Sequence, residues 1–512
     1  MMKYIKKGLS ILLSAMMVFS FAAVCMTASA ASGYITYKVP EDCDFAVVDS
    51  CSALAKGKIE IASTYNGYPV TEIGNEIFKD LKTITEVVIP SSVTKVGNSA
   101  FSGCSGLEKI VFEGSECYFG THIFSSCIKL SEITLPSALK EIPKNTFYDC
   151  KALAEIDIPS TVTKIGEMAF ATCTALKDFE IPASVTSIGV NAFIRCNSVE
   201  NYKVASGNTA YKSVDGVLYD AKGEILVQYP IGNKAENVTV INGTKKIADG
   251  AFADNGNVKS VSLPASLETI DAYAFQYCEN LDGVVLPAGI KTLGADAFGH
   301  CKSLKSIKIP ASLTKYEYAF YMSGLESVVI ENGATEISRN AFEKCTSLTS
   351  VTFPETLKTI GIAAFIDCTA LKNIEIPSSV TSIGKKAFGN IDNLTITGVK
   401  GSAAEAYANE NSITFASTEK LTGIEITKLP SKLEYNYKDS IDTSGMVVVA
   451  KYSDGTEKEI KDYKVSPATF TKTGSHTVTV SYEGFTDSFG VSVSYSFIQI
   501  IILIFLLGFL WY

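Results

Sequence analysis

Five carboxylates recur at a fixed spacing and are the residues of this sequence best able to bind a charged ligand. Glu132, Glu155 and Asp178 are 23 residues apart, and so are Asp157 and Glu180. Such a cluster attracts a basic protein surface or binds Ca²⁺ weakly, and the alternative is a merely solvated face. A hydrolase that uses Asp157 and Glu180 as paired carboxylates is a further alternative, although it would need a deep pocket.

Other catalytic and metal-binding patterns do not occur in the sequence. There is no G-x-S-x-G, H-E-x-x-H, P-loop, G-x-G-x-x-G or C-x-x-C motif. The three histidines, His122, His300 and His476, are scattered and do not predict a zinc site. With 45 basic and 54 acidic residues the net charge is −9, which argues against a nucleic-acid partner. We therefore expect a protein that is not an enzyme and has no cofactor.

The carboxylates lie within a repeat of 22 or 23 residues. The unit reads roughly I-P-x-S-V-T-x-I-G-x-x-A-F-x-x-C-x-x-L-x-x-I-x. A period of this length with alternating apolar residues predicts a solenoid of stacked coils, as in leucine-rich repeats. The in-phase phenylalanines are Phe78, Phe101, Phe124, Phe147, Phe170, Phe193, Phe252, Phe275, Phe298, Phe320, Phe342, Phe365 and Phe388.

The pattern of one coil predicts which residues point inward. Ile156 and Ile158 alternate on one strand, and Pro159 ends that strand because proline cannot donate to a ladder. Gly166 is expected to permit a turn at positive φ. The residue between the two inward positions is exposed, so the five carboxylates should cluster on adjacent coils. We expect a structural ladder of inward residues from Phe101, Phe124, Phe147, Phe170, Phe193, Cys104, Cys127, Cys150, Cys173 and Cys196.

The cysteines predict buried free thiols more than disulfides. Nine of the 13 cysteines follow a repeat phenylalanine by three positions, one per coil. Adjacent coils could still bring two of them within disulfide range. Cys43 and Cys51 lie outside the repeat and are the better candidates for a disulfide.

The repeated units, such as Ile181 to Cys196, resemble the BspA-like, treponemal-type leucine-rich repeats of bacterial surface proteins, over about residues 60–415. Asn255, Ser323 and Ile391 depart from the pattern where cysteine is expected. The 59-residue interval between Phe193 and Phe252 resembles that family's hairpin insertion, at about 204–240, and residues 401–415 resemble its terminal cap. The resemblance implies adhesion, or binding to a protein on a host or neighbouring-cell surface.

A second domain follows the repeats. Short runs of alternating apolar and polar residues from Leu421 to Val493, with a turn at Ser453-Asp454-Gly455, predict a β-sandwich. The segments from Ile441 to Val449 and from Gly474 to Tyr482 resemble the group 3 bacterial Ig-like domain. The resemblance implies a spacer or a module that contacts sugar or matrix.

The two ends of the sequence carry apolar segments. Three lysines, an apolar run and Ala28-Ser29-Ala30 predict a signal peptide over 1–30, with an uncleaved anchor as the alternative. Residues 497–512 have no charge and predict a hydrophobic tail that anchors in a membrane as a transmembrane helix. Sixteen residues are fewer than the ~20 that usually span a bilayer, so a reading-frame accident and a partner-binding helix stay open.

Together these features predict a β-rich leucine-rich-repeat solenoid of about 13 coils, an Ig-like β-sandwich and a short hydrophobic C-terminal helix. The predicted boundaries are a signal peptide over 1–30, a cap over 31–75, the solenoid over 76–416, the Ig-like domain over 419–495 and the tail over 497–512. We expect an exported protein on the cell surface or membrane, or otherwise secreted, that binds protein through its repeat face. The alternative is a structural or self-assembling envelope protein.

Overall fold

The computed structural model describes residues 32–453 and 455–508. The chain divides into two compact units, the first ending at Leu394 and the second beginning at Thr395. The first unit is a solenoid of stacked parallel coils, and the second contains an Ig-like sandwich. The expected fold class is therefore confirmed.

Most coils of the first unit contribute strands at two positions of the repeat. The strands after the cysteine form the long-strand face: β3 (Gly57–Glu60), β6 (Ile84–Ile89), β8 (Lys109–Phe112), β10 (Glu132–Thr134), β13 (Phe179–Ile181), β15 (Tyr202–Val204), β19 (Asn237–Thr239), β21 (Ser260–Ser262), β23 (Gly283–Val284), β25 (Ser306–Ile309), β26 (Ser327–Ile330), β28 (Ser350–Thr352) and β30 (Asn373–Glu375).

The strands before the phenylalanine form the short-strand face: β5 (Tyr68–Ile73), β7 (Lys95–Val96), β9 (Tyr118–Phe119), β11 (Glu141–Ile142), β12 (Lys164–Ile165), β14 (Ser187–Ile188), β18 (Ile225–Gln228), β20 (Lys246–Ile247), β22 (Thr269–Ile270), β24 (Thr292–Leu293), β27 (Glu336–Ile337), β29 (Thr359–Ile360) and β31 (Ser382–Ile383). Pairing between successive coils is parallel and in register, as in Glu141 with Lys164. Residues at equal repeat positions therefore lie side by side.

The remaining strands of this unit lie at its start and in the long interval of the repeat. A 3-10 turn at Ser32–Tyr34 precedes β1 (Ile35–Lys38), which pairs antiparallel with β2 (Ala46–Cys51), and β4 (Thr64–Tyr65) pairs with β5. In the interval, β16 (Tyr211–Val214) and β17 (Val217–Asp220) form an antiparallel meander with β18. Strand β18 then pairs parallel with β20, so the insertion rejoins the short-strand face.

The turn that carries the repeat phenylalanine joins the coils by both packing and hydrogen bonds. Phe147 is fully buried, and its ring stacks on those of Phe124 and Phe170 at centroid distances of 5.6 and 5.2 Å. The amides of Asn145, Phe147 and Asp149 donate to carbonyls of the next coil at 2.8 to 3.0 Å. Burying each such ring contributes roughly 1.5–3 kcal/mol, so the column of rings is a large part of the core.

In coils that carry it, the repeat cysteine donates to the phenylalanine carbonyl of the preceding coil, 25 or 26 residues earlier. Cys127, Cys150 and Cys173 donate from Sγ to the carbonyls of Phe101, Phe124 and Phe147 at 3.1 to 3.2 Å. Where cysteine is missing, Asn255 accepts through Oδ1 from the amides of Asn257 and Val258. A small polar group at this position therefore satisfies the backbone inside the turn.

The expected disulfide between Cys43 and Cys51 does not form. Both are free thiols, as is every cysteine in the described part of the chain. Cys43 precedes strand β2 and Cys51 ends it. A strand rises about 3.3 Å per residue, so this extended segment holds the two cysteines farther apart than the ~7 Å that a disulfide allows.

Gly166 has a role other than the expected turn at positive φ. The residues with positive φ flank the phenylalanine, such as Asn145 (φ 55) and Asp149 (φ 61). A Cβ on Gly166 would lie 2.5 Å from the backbone nitrogen of Lys144. Glycine is required here because the backbone of the preceding coil leaves no room for a side chain.

The second unit begins with a strand-helix-strand segment. Strand β32 (Thr395–Gly398) pairs parallel with β33 (Thr414–Ser417), and helix α1 (Ala403–Glu410) connects them and buries Tyr407 and Ala408. The sandwich follows with the strands β34 (Leu421–Lys428), β35 (Glu434–Asn436), β36 (Val447–Tyr452), β37 (Glu457–Ile460), β38 (Lys464–Ser466), β39 (Gly474–Tyr482) and β40 (Phe485–Ser494).

These strands form two sheets that enclose an apolar core. The sheet orders are β34-β36-β37 and β35-β40-β39-β38. Val448, Val478 and Val480 are fully buried between them, with Phe470 and Tyr435 nearly so. The alternation of apolar and polar residues thus places one face of each strand in the core.

Helix α2 (Phe497–Gly508) follows the sandwich. Within the described residues, no helix is both long and apolar enough to cross a membrane. The expectation of a transmembrane helix at 497–512 is therefore not supported, and residues 509–512 of that segment lie outside the described residues. The predicted signal peptide over 1–30 lies outside the described residues.

Replacing Gly166 with alanine should destabilise the solenoid by about 1–3 kcal/mol, because the new Cβ overlaps the backbone of the preceding coil. Gly256→Ala is the matched control, since a Cβ there would meet nothing within 4 Å. Urea unfolding followed by circular dichroism measures both variants. Equal midpoints for the two variants would contradict the close-approach explanation.

The cysteines of the repeat should be inert in the native protein. Burial raises the pKa of Cys104 and Cys196 from 9.0 to about 12, so at pH 8 both thiols are protonated. Iodoacetamide should label partly exposed Cys43 first and these two only after unfolding in urea, as measured by mass spectrometry. Their contribution to stability should be present below about pH 9 and be lost as the pH rises toward 12, because only the unfolded state then releases their protons readily. Rapid native labelling of Cys196 would contradict this.

Candidate protein-binding site

The long-strand face is interrupted where the predicted acidic residues lie. Residues 154–159 form no strand, although strands β10 and β13 lie on the coils before and after them. Ile156 and Ile158, expected to be inward and buried, are only partly buried. The long-strand ladder is therefore broken between β10 and β13, and the coil leaves a depression there.

This depression is the acidic groove, a cavity of about 730 Å³. Four of the five predicted carboxylates line it: Glu155, Asp157, Asp178 and Glu180. Glu132 does not. The lining also includes Glu200, Lys177, Lys203 and Lys234. Lys177 and Glu200 both occupy the position after the repeat leucine. An alignment of the coils would therefore have identified these two residues from the sequence.

Two of the five predicted carboxylates are neutralised by neighbouring lysines. Lys203 Nζ lies 2.9 Å from Asp178, and Lys109 Nζ lies 2.7 Å from Glu132. The hydrogen bond and charge of Asp178 raise the pKa of Lys203, and Glu180 contributes to the same effect. Among the described residues, Glu155, Asp157 and Glu180 have no ion-pair partner within 4.0 Å. Within the same described residues Glu200 is unpaired as well, and so are Lys177 and Lys234 of the lining. The carboxylates of the groove still outnumber its lysines, so the groove carries a net negative charge.

The groove is not a preformed cation site. Across residues 32–453 and 455–508, no group of three His, Cys, Asp or Glu side chains is placed to hold a metal ion. The histidines lie elsewhere: His300 stacks on Tyr277 at 4.3 Å, and His122 contacts Asn145 at 2.7 Å. In the second unit, His476 contacts the carbonyl of Lys472 at 2.8 Å.

A second groove, of about 900 Å³, opens on the short-strand face and was not expected from the sequence. Tyr118 lines it and is 68% exposed. The lysines of its lining are largely paired, as in Lys144 with Glu167 at 2.8 Å and Lys164 with Glu141 at 2.7 Å. We call it the tyrosine groove.

The tyrosine groove arises from two departures from the repeat. Glu116 occupies the position that an inward valine has in other coils and is exposed. Pro143 occupies the position of the close-packed glycine and has no amide hydrogen to donate to the carbonyl of Phe119. The short-strand sheet accordingly ends at β9 and begins again at β11. Both departures are visible in the sequence once the coils are aligned.

Family comparison agrees with this architecture. The BspA type leucine rich repeat region, in six copies, matches residues 71–200, 232–317 and 316–437. The chain belongs to this family. The bacterial Ig-like domain of group 3 matches residues 429–493. Both resemblances expected from the sequence are therefore confirmed.

Solved structures include several similar leucine-rich repeat proteins. One from Eubacterium ventriosum is 21% identical, with a TM-score of 0.51, over 70% of this chain and 94% of its own. The pneumococcal vaccine antigen PcpA is 20% identical, with a TM-score of 0.51, over 75% and 97%. A leucine rich cell surface protein from Faecalibacterium prausnitzii is 26% identical, with a TM-score of 0.46, over 75% and 96%. None of the curated proteins matches the chain. The first two likenesses support the fold.

Proposed function

We propose that this chain is an exported cell-surface protein that binds a basic protein surface through the acidic groove. The observation that carries the proposal is the placement of Glu155, Asp157 and Glu180 together in one groove without ion-pair partners in the described residues. Membership of the BspA-type repeat family supports binding as the activity. The partner would be a protein on a host or neighbouring cell, and no catalytic step is proposed.

The surrounding surface fits a protein better than a small molecule. The groove is open to solvent and is lined by residues of at least three successive coils, and a stable protein interface buries about 800 Å² on each partner. Like-charged side chains on one face raise the rate of encounter with an oppositely charged partner. Binding should therefore weaken as ionic strength rises.

Reversing the charge of the groove should strongly weaken binding to its partner. The variant carries Glu155→Lys, Asp157→Lys, Asp178→Lys and Glu180→Lys. It is measured by surface plasmon resonance against a panel of extracellular-matrix and epithelial-surface proteins. We expect a loss of at least tenfold in affinity, because like charges then face the basic partner. Lys203→Met, which frees the carboxylate of Asp178, should strengthen the same binding.

Matched controls separate charge from site. The control variant carries lysine in place of four exposed carboxylates of the later coils, Glu317, Glu336, Glu355 and Glu375. Its net charge changes by the same amount as that of the groove variant. This control should bind like the wild type. An equal loss of affinity in the control variant would contradict the acidic groove as the binding site. A loss of affinity in Tyr118→Ala alone would also contradict it and would favour the tyrosine groove. Concentration-dependent assembly in sedimentation without any binding would favour the self-assembling envelope protein.

Export should be accompanied by cleavage after Ala30. The positively charged start, apolar run and small residues at 28–30 are the pattern that signal peptidase requires. Mass spectrometry of protein exported by a bacterial host should find Ala31 at the amino terminus. Ala28→Lys should block cleavage, because a large charged residue does not fit the small-residue site. A mature protein that retains residues 1–30 would indicate an uncleaved anchor instead.

A further inference from the structure

Helix α2 is apolar on every side and is exposed on every side. Apart from Gln499 and Gly508, its residues are Phe, Ile and Leu. All ten of these apolar side chains are at least 37% exposed. A helix that is hydrophobic all round belongs in a core or in lipid, and the second unit does not supply that core.

The single polar side chain of the helix fixes its base to the sandwich. Gln499 Oε1 accepts from the amide of Ser496 at 2.9 Å, and Ser496 Oγ accepts from the amide of Gln499 at 3.3 Å. This reciprocal pair is a capping box. Gln499 Nε2 also donates to the carbonyl of Tyr437 at 2.8 Å. The helix therefore begins at a defined point of the domain.

The base of the helix carries the residues of a membrane interface. The rings of Tyr437 and Tyr495 lie 5.4 Å apart, and Lys438 Nζ lies 5.6 Å from the centre of the Tyr437 ring. Tyr437 and Tyr495 are partly buried, and Lys438 is exposed. Tyrosine and lysine collect at the level of lipid headgroups, where a ring is half in hydrocarbon and an ammonium meets phosphate. We call these three residues the collar.

We propose that helix α2 inserts into the hydrocarbon of a bilayer, with the collar at the headgroups. The described part of the helix, Phe497–Gly508, extends about 18 Å and is apolar along that length. A second copy of the chain would cover only one stripe of the helix and leave the rest in water. Acyl chains cover all sides at once. Lipid binding by helix α2 does not depend on the acidic groove. A result that contradicts binding through the groove would therefore leave this proposal intact.

Vesicle flotation of the full chain tests the proposal. Vesicles of phosphatidylcholine, and of phosphatidylcholine mixed with phosphatidylglycerol in equal parts, should both carry the protein upward. The only tryptophan, Trp511, follows the helix in the sequence and serves as the probe. Its emission should shift to the blue and be quenched by brominated acyl chains. If the apolar segment at 1–30 carried the protein to the vesicles instead, flotation would occur without the blue shift and quenching of the tryptophan emission.

Ile502→Asp with Phe505→Asp should reduce partitioning roughly a hundredfold or more and abolish the blue shift, because charge in the middle of such a helix opposes insertion. Val190→Asp with Val285→Asp is the matched control, at two exposed valines of the first unit, and should behave like the wild type. Lys438→Glu should weaken binding to the phosphatidylglycerol vesicles more than to phosphatidylcholine alone.

Three results would overturn the proposal. The first is flotation of the Ile502→Asp, Phe505→Asp variant with unchanged tryptophan emission. The second is a wild-type protein that does not float at all. The third is wild-type self-association in sedimentation, lost in this variant and without any lipid binding, which would assign the helix to contacts between copies. Unchanged circular dichroism of the variant shows that the sandwich is folded in each comparison.

Discussion

The register between coils is the constraint on which the rest of the solenoid depends. Phe147 and its neighbours donate their amides to the next coil while the ring stacks on the rings before and after it. Both interactions require that equal positions of successive repeats lie directly side by side. A coil out of register would lose hydrogen bonds and leave a gap in the column of rings, each costing free energy. Cys150 adds to the same register because its thiol donates to the previous phenylalanine carbonyl.

The same constraint explains where the surface departs from a smooth face. Gly166 can lie close to the backbone of Lys144 because glycine has no side chain. Where proline replaces that glycine, at Pro143, a donor is lost and the short-strand ladder breaks beside Tyr118. At residues 154–159 the long-strand ladder breaks as well, and there the acidic groove opens. Irregular coils therefore provide concave surfaces that regular coils lack.

Much of the fold could be predicted because the repeat is local and strong. The apolar positions of one coil, such as Ile165 and Phe170, are read from spacing alone, and both are buried. The candidate site was predictable only in part. The 23-residue spacing predicts that Asp157 and Glu180 are neighbours, and both line one groove. The spacing did not exclude Glu132, because the residues that line the groove depend on which coil lacks its strand.

The sequence by itself determined the period, the order of the two kinds of domain and the chemistry available on each face. Periodicity is a property of neighbouring residues, and it dictates which side chains a coil must bury. Only the tertiary structure decided which charges are compensated, as in Lys203 with Asp178, and that Cys43 and Cys51 stay apart. It also decided that Gln499 reaches the carbonyl of Tyr437, 62 residues away in the chain. Such pairings depend on distances between separate segments, which no local pattern encodes.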